Sequence, residues 1–183
     1  ILVIGHNVPS AVGIIDYLTD KGMYNAVEVV GICCTAIDMT RYSASMAKIV
    51  GPISWQLRFI RSGLPDLIVV DEQCIRADSL VEAQKVKAPV IASSPKNCLG
   101  LENRTESPAK EIISDLVEGK VPGALILDSE KVGEVAVETV MAVAPKRKKF
   151  NIIPKVEEII KAAQECTQCN ECMRACPNNQ PIP

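Results

Sequence analysis

Between residue 1 and about residue 145, short apolar runs rich in β-branched residues alternate with stretches of helical spacing. That alternation restricts the chain to a layered α/β structure with a parallel sheet. Strands are expected at 1–5, 27–32, 67–71, 90–93 and 124–128. Helices are expected at 10–21, 43–49, 54–62, 79–86, 108–118 and 131–144, with Ser79 and Ser107 as N-cap residues ahead of Val81 and Pro108. Apolar residues make up 48% of the 183 and aromatics only 3%, with Val, Ile, Leu and Ala dominant. Such a bias suits a sheet covered on both faces by helices. The expected fold class is a doubly wound, Rossmann-like α/β domain.

Pro145-Lys146-Arg147-Lys148-Lys149 follows the last of these helices and reads as a solvated helix end and linker, its cations favoured by the helix dipole. Val156, Ile159, Ile160 and Ala163 then recur at i, i+3, i+4 and i+7, one apolar face of a helix that leads to Cys166. A boundary is expected near residue 150, with an α/β domain over 1–150 and a small second segment over 151–183.

Composition excludes several function classes. A net charge of -2 without a basic face gives nucleic acid nothing to bind. No apolar run approaches the roughly 18 residues of a transmembrane helix. Ile1-Leu2-Val3-Ile4 carries no basic stretch and opens directly on a strand, and the chain stops at Pro183 just past a half-finished metal motif, so both ends read as cuts. Of eight cysteines, four fall between Cys166 and Cys176, and Cys33 and Cys34 are adjacent. A core this large needs no stapling, so metal ligation in a reducing, cytoplasmic setting is expected in place of disulfides.

The run Cys166-Thr167-Gln168-Cys169-Asn170-Glu171-Cys172-Met173-Arg174-Ala175-Cys176-Pro177 has the spacing C-x2-C-x2-C-x3-C-P. In bacterial-type ferredoxins three such thiolates wrap one [4Fe–4S] cubane and the fourth serves a second cluster. Cys166, Cys169 and Cys172 are therefore expected to share one cluster and Cys176 to reach another, which makes 151–183 the start of a small ferredoxin-like iron–sulfur segment. A zinc site would pair two C-x2-C knuckles across a longer spacer.

Other metal-binding side chains follow the expected strands. His6 follows the first, in Ile4-Gly5-His6-Asn7. Cys33 and Cys34 follow the second, in Gly31-Ile32-Cys33-Cys34-Thr35, and Cys74 follows the third, in Val70-Asp71-Glu72-Gln73-Cys74. A parallel sheet brings all C-terminal strand ends to one edge, where ligands bind. One imidazole and up to three thiols thus converge without being sequence neighbours, a metal-site pattern of soft and intermediate donors. Taken singly, His6 reads as a residue that caps a helix or bonds to backbone, and the cysteines read equally well as small buried hydrophobes or as ligands. Cys98 lies several residues past its strand and reads as structural. The segment from Gly5 to Gly13 lacks the second glycine of a dinucleotide fingerprint, and the second strand ends without an acidic residue, which argues against NAD. No G-x-S-x-G elbow is present.

Taken in order, these motifs resemble the nickel-containing carbon monoxide dehydrogenases, specifically the large-subunit branch of the archaeal acetyl-CoA decarbonylase/synthase complexes. The resemblance implies a nickel–iron–sulfur cluster with a further iron outside its cage. His6 and Cys34 are then expected to hold that outer iron, Cys33 to stand just outside the ligand set, and Cys74 to hold the cage. It also implies reversible oxidation of carbon monoxide with water to carbon dioxide, two protons and two electrons. Electrons would leave through [4Fe–4S] clusters to a ferredoxin. The expected partners are the other subunits of the complex and a second copy of the chain, as a homodimer. Two further readings are a hybrid-cluster oxidoreductase, similar in fold, and a non-catalytic iron–sulfur electron-transfer module. Nickel separates the first reading from both.

Overall fold

The structure, a computed structural model, describes residues 1–147, 155–165 and 167. The chain divides into two units, 1–152 and 153–183. In the first, six strands alternate with helices: β1 (Leu2–Gly5), α1 (Pro9–Asp20), β2 (Val29–Cys33), α2 (Cys34–Tyr42), β3 (Ala47–Gly51), α3 (Gln56–Arg61), β4 (Ile68–Val70), α4 (Ser79–Lys85), β5 (Val90–Ala92), α5 (Ala109–Glu118), β6 (Gly123–Leu125) and α6 (Ser129–Arg147). All pairings are parallel, in the order β3-β2-β1-β4-β5-β6. This is the doubly wound architecture expected. The chain builds outward from β1 to β3 and then returns to lay β4 against the other side of β1.

Alternation along each strand sends neighbouring side chains to opposite faces. Val3, Val29, Val69, Ile91 and Ala124 face a core completed by α1, α5 and α6; Leu2, Ile4, Ile32, Ile68 and Val70 face a second core with Ile60 of α3 and Ala83 of α4. Each fully buried Leu or Ile contributes about 1.5–3 kcal/mol of transfer free energy before ordering costs are subtracted. α1 and α6 cross almost backbone to backbone. A Cβ on Gly133 would lie 2.2 Å from the Gly13 carbonyl oxygen.

Three expectations are corrected. The helix expected at 43–49 does not form; helix α2 occupies 34–42, and Ala47–Gly51 is the edge strand β3 with Lys48 and Ile49 exposed. An edge strand with a solvated face has mixed polarity, and Met46, Ile49 and Val50 mimic helical spacing. Pairing with β2 overrides that local preference. Ser79 and Ser107 do not cap helices: the Ser79 hydroxyl is buried without a partner among the described residues, and Ser107 Oγ accepts from Arg104 Nε at 3.0 Å.

The third correction concerns Pro145–Lys149. α6 runs through Pro145, and Arg147 is 5% exposed, donating to the carbonyls of Pro65 (2.6 Å) and Val86 (2.7 Å) and to Asp66 Oδ1 (3.0 Å). The guanidinium fork closes the lower end of the sheet rather than facing solvent. Lys148 and Lys149 lie outside the described residues. Arg147→Met keeps the aliphatic length but strips two buried carbonyls and a carboxylate of their donor. It should destabilise the α/β unit by about 3 kcal/mol, seen as a lowered midpoint in urea unfolding; an unchanged midpoint would refute the anchoring role.

In the second unit, α7 (Val156–Gln164) begins where the Glu158 carboxylate accepts from the Lys155 amide at 2.9 Å. Val156, Ile159 and Ile160 are exposed. Cys166, Cys169, Cys172 and Cys176 lie outside the described residues. Among the described residues, no helix is long and apolar enough to cross a membrane.

Candidate metal centre

The strand order reverses between β1 and β4, and in an open parallel sheet the crevice at such a switch, beyond the C-terminal strand ends, is the usual ligand site. His6 leaves β1 on one side of the switch, Cys74 follows β4 on the other, and next door Cys33 ends β2 and Cys34 opens α2. The strand ends that carry all four residues therefore lie along one rim of the sheet. His6 and Cys74 are exposed there; Cys33 and Cys34 are half-buried.

Asp71 ties these strand ends together. It follows β4 and is 2% exposed. Its Oδ1 accepts from the His6 amide at 2.8 Å; its Oδ2 accepts from the same amide at 3.0 Å, from the Asn7 amide at 2.6 Å and from Thr35 Oγ1 at 3.0 Å. Thr35, fully buried next to Cys34, also approaches the Asn7 carbonyl at 3.0 Å. Gly5 makes room for the carboxylate. With φ at +150°, it has a Cβ direction that would end 1.6 Å from Asp71 Oδ1. Burial pushes the Asp71 carboxyl up from its ordinary value, against the pull of its amide and hydroxyl donors.

Backbone geometry at the other two strand ends is strained. Cys33 has φ +74° and ψ −153°, after which α2 starts at Cys34, and the two sulfurs are 3.9 Å apart. Gln73 and Cys74 have φ of +64° and +58°. For residues with a Cβ, left-handed backbone costs about 1–2 kcal/mol each and gathers where function requires it. Gln56, 1% exposed, holds the second of these turns: its Nε2 donates to the Cys74 carbonyl at 2.7 Å and its Oε1 accepts from the Arg76 amide at 3.2 Å. Burial pushes the Cys33 thiol up, and the neighbouring Cys34 and Cys74 sulfurs push the same way. Lys96, 2.8 Å from Glu72, holds that carboxyl below its ordinary value.

The donor chemistry fits an iron–sulfur cage with a mixed-ligand metal. Imidazole and thiol are the borderline and soft donors such metals take, and the surrounding hydrogen bonds engage backbone while the His6 imidazole stays exposed. Among the described residues, no three His, Cys, Asp or Glu side chains stand close enough to grip a single ion. A cage holding one thiolate per corner does not require that spacing, because sulfide bridges span the distance between corners.

The profile of the Prismane/CO dehydrogenase family matches residues 1–171. The chain belongs to that family. Two relatives named acetyl-CoA decarbonylase/synthase complex subunit alpha are similar along nearly the whole chain. The protein from Methanothermobacter thermautotrophicus is 55% identical over 100% of this chain, and that from Methanocaldococcus jannaschii is 49% identical over 97%. In each case the chain spans 23% of the relative's length. A nickel-free crystal structure of carbon monoxide dehydrogenase from Thermococcus sp. AM4 superposes with a TM-score of 0.60 at 22% identity, over 91% of this chain and 26% of that one. That likeness supports the family's α/β fold for this segment.

Within the family framework, sequence reasoning overlooked Asp71, Thr35 and Gln56 as parts of the rim. Asp71 left one signal, a charged residue directly after the apolar run Ile68-Val69-Val70. Gln56 left none, because its burial depends on how α3 packs. Cys98 is half-buried against the second core, in line with a structural role.

Proposed function

We propose that this chain supplies one wall of a nickel–iron–sulfur centre in a carbon monoxide dehydrogenase subunit of an archaeal acetyl-CoA decarbonylase/synthase complex. The observation that carries this reading is the arrival of the strand ends bearing His6, Cys33, Cys34 and Cys74 at one rim, in a chain of the Prismane/CO dehydrogenase family that is 55% identical to a relative named acetyl-CoA decarbonylase/synthase complex subunit alpha. When bound, such a cluster supplies the site where carbon monoxide and water are converted to carbon dioxide, two protons and two electrons. His6 and Cys34 hold the outer iron, Cys74 holds a corner of the cage, and Cys33 stands beside Cys34. Cys166, Cys169 and Cys172 hold a [4Fe–4S] cluster and Cys176 reaches a second, extending the electron path toward a ferredoxin. The other subunits of the complex and a second copy of the chain are the partners of this reading.

Metal content tests it. A full-length subunit carrying this segment, produced without oxygen and with nickel supplied, should contain nickel as well as iron and should reduce a viologen dye when given carbon monoxide. Iron without nickel would favour a hybrid-cluster or electron-transfer role and refute the proposal.

A further inference from the structure

The three strand ends of the rim come from separate parts of the sequence, and a single buried carboxylate joins them. We propose that Asp71 is the positioning residue of the metal centre, its carboxylate fixing the His6 and Cys34 backbones relative to β4 so that the metal can be loaded. The proposal rests on the metal-centre reading above.

Asp71 lies three residues before Cys74 and receives the amides of His6 and Asn7 and the hydroxyl of Thr35, which is bonded covalently to Cys34. Burying a charge is costly unless its bonds are well made, and here the 2%-exposed carboxylate takes its donors at 2.6–3.0 Å. What these bonds supply is a common reference point. With Asp71 in place, a shift of the β1 loop against α2 breaks bonds at 2.6–3.0 Å on both sides. Thr35 Oγ1 stands 3.0 Å from both Asp71 Oδ2 and the Asn7 carbonyl oxygen, so its hydroxyl can donate to either and couple the loop to α2 directly. All the partners of Asp71 donate, and a carboxylate only accepts. Gly5 reserves the space for it, since any side chain there would overlap Oδ1. Partners that support metal ligands in this way typically account for about 10- to 100-fold in metal affinity.

The test is nickel titration of the full-length subunit with its iron–sulfur clusters in place. Asp71→Asn keeps the shape but turns one acceptor into a donor that faces donors. Expected results are a folded protein whose melting temperature falls by several degrees, since a buried donor then faces donors, preserved spectra from the clusters of the Cys166–Cys176 segment, an altered electron paramagnetic resonance signal from the nickel–iron cluster, and an apparent nickel affinity lowered about 10- to 100-fold. Thr35→Val should lower affinity in the same direction, and Thr35→Ser, which restores the hydroxyl, should rescue it. Wild-type affinity and signal in a folded Asp71→Asn protein would overturn the proposal. Where Asp71→Asn does not fold, the Thr35 pair decides: Thr35→Val as good as Thr35→Ser overturns it, and loss with rescue upholds it. A wild-type subunit that takes up no nickel would instead overturn the metal-centre reading, and this proposal with it.

Discussion

Gly5→Ala should lower the stability of the α/β unit by about 4 kcal/mol. Two costs combine. The φ of +150° lies where only glycine is at ease, and the new Cβ would fall 1.6 Å from Asp71 Oδ1 and 2.2 Å from its Cγ. The flexible end of a side chain could move aside, but this carboxylate is held by the His6, Asn7 and Thr35 donors and cannot move without releasing them. For a domain of this size about 4 kcal/mol corresponds to a fall of roughly 10 °C in melting temperature. Hydrogen exchange at the His6 and Asn7 amides should accelerate as well. A fall of less than about 2 °C, with both amides still protected, would mean that the rim adapts freely and that the carboxylate does not brace it.

Cys34→Ala should abolish carbon monoxide oxidation by the full-length subunit. Removing only the supporting partner of a metal ligand already costs about 10- to 100-fold, so loss of a ligand should exceed about 100-fold. The [4Fe–4S] spectra of the Cys166–Cys176 segment should be unaffected, because those thiols come from a separate stretch of sequence. Cys33→Ala is the informative comparison, since the two sulfurs are only 3.9 Å apart. It should retain more activity than Cys34→Ala, and the reverse order would transfer the ligand role to Cys33. Activity surviving in Cys34→Ala with normal nickel content would remove this thiol from the centre.

Much of this architecture was legible in the chain itself. Buried parallel strands are written as near-continuous apolar runs, and β1, β2, β4, β5 and β6 all carry one. β3 escaped because an edge strand exposes Lys48 and Ile49 and has no such run. Missing it also hid α2, whose residues follow Cys33 without a break. Arg147 was misread for a related reason: a basic cluster after a helix resembles a solvated end, and only the carbonyls of Pro65 and Val86, from distant parts of the chain, turn it inward.

The same division runs through the candidate centre. That His6, Cys33, Cys34 and Cys74 follow apolar strand runs is plain in the chain, and a parallel sheet gathers its C-terminal strand ends at one edge. Only the tertiary structure decided which strands are neighbours, set the switch between β1 and β4, and turned Asp71 from a polar residue at the end of a strand into the point where three segments meet. Hydrogen bonds spanning 36 to 65 residues of sequence cannot be read from local pattern. They exist because the sheet order places their ends within reach and because burial leaves the carboxylate no other partners.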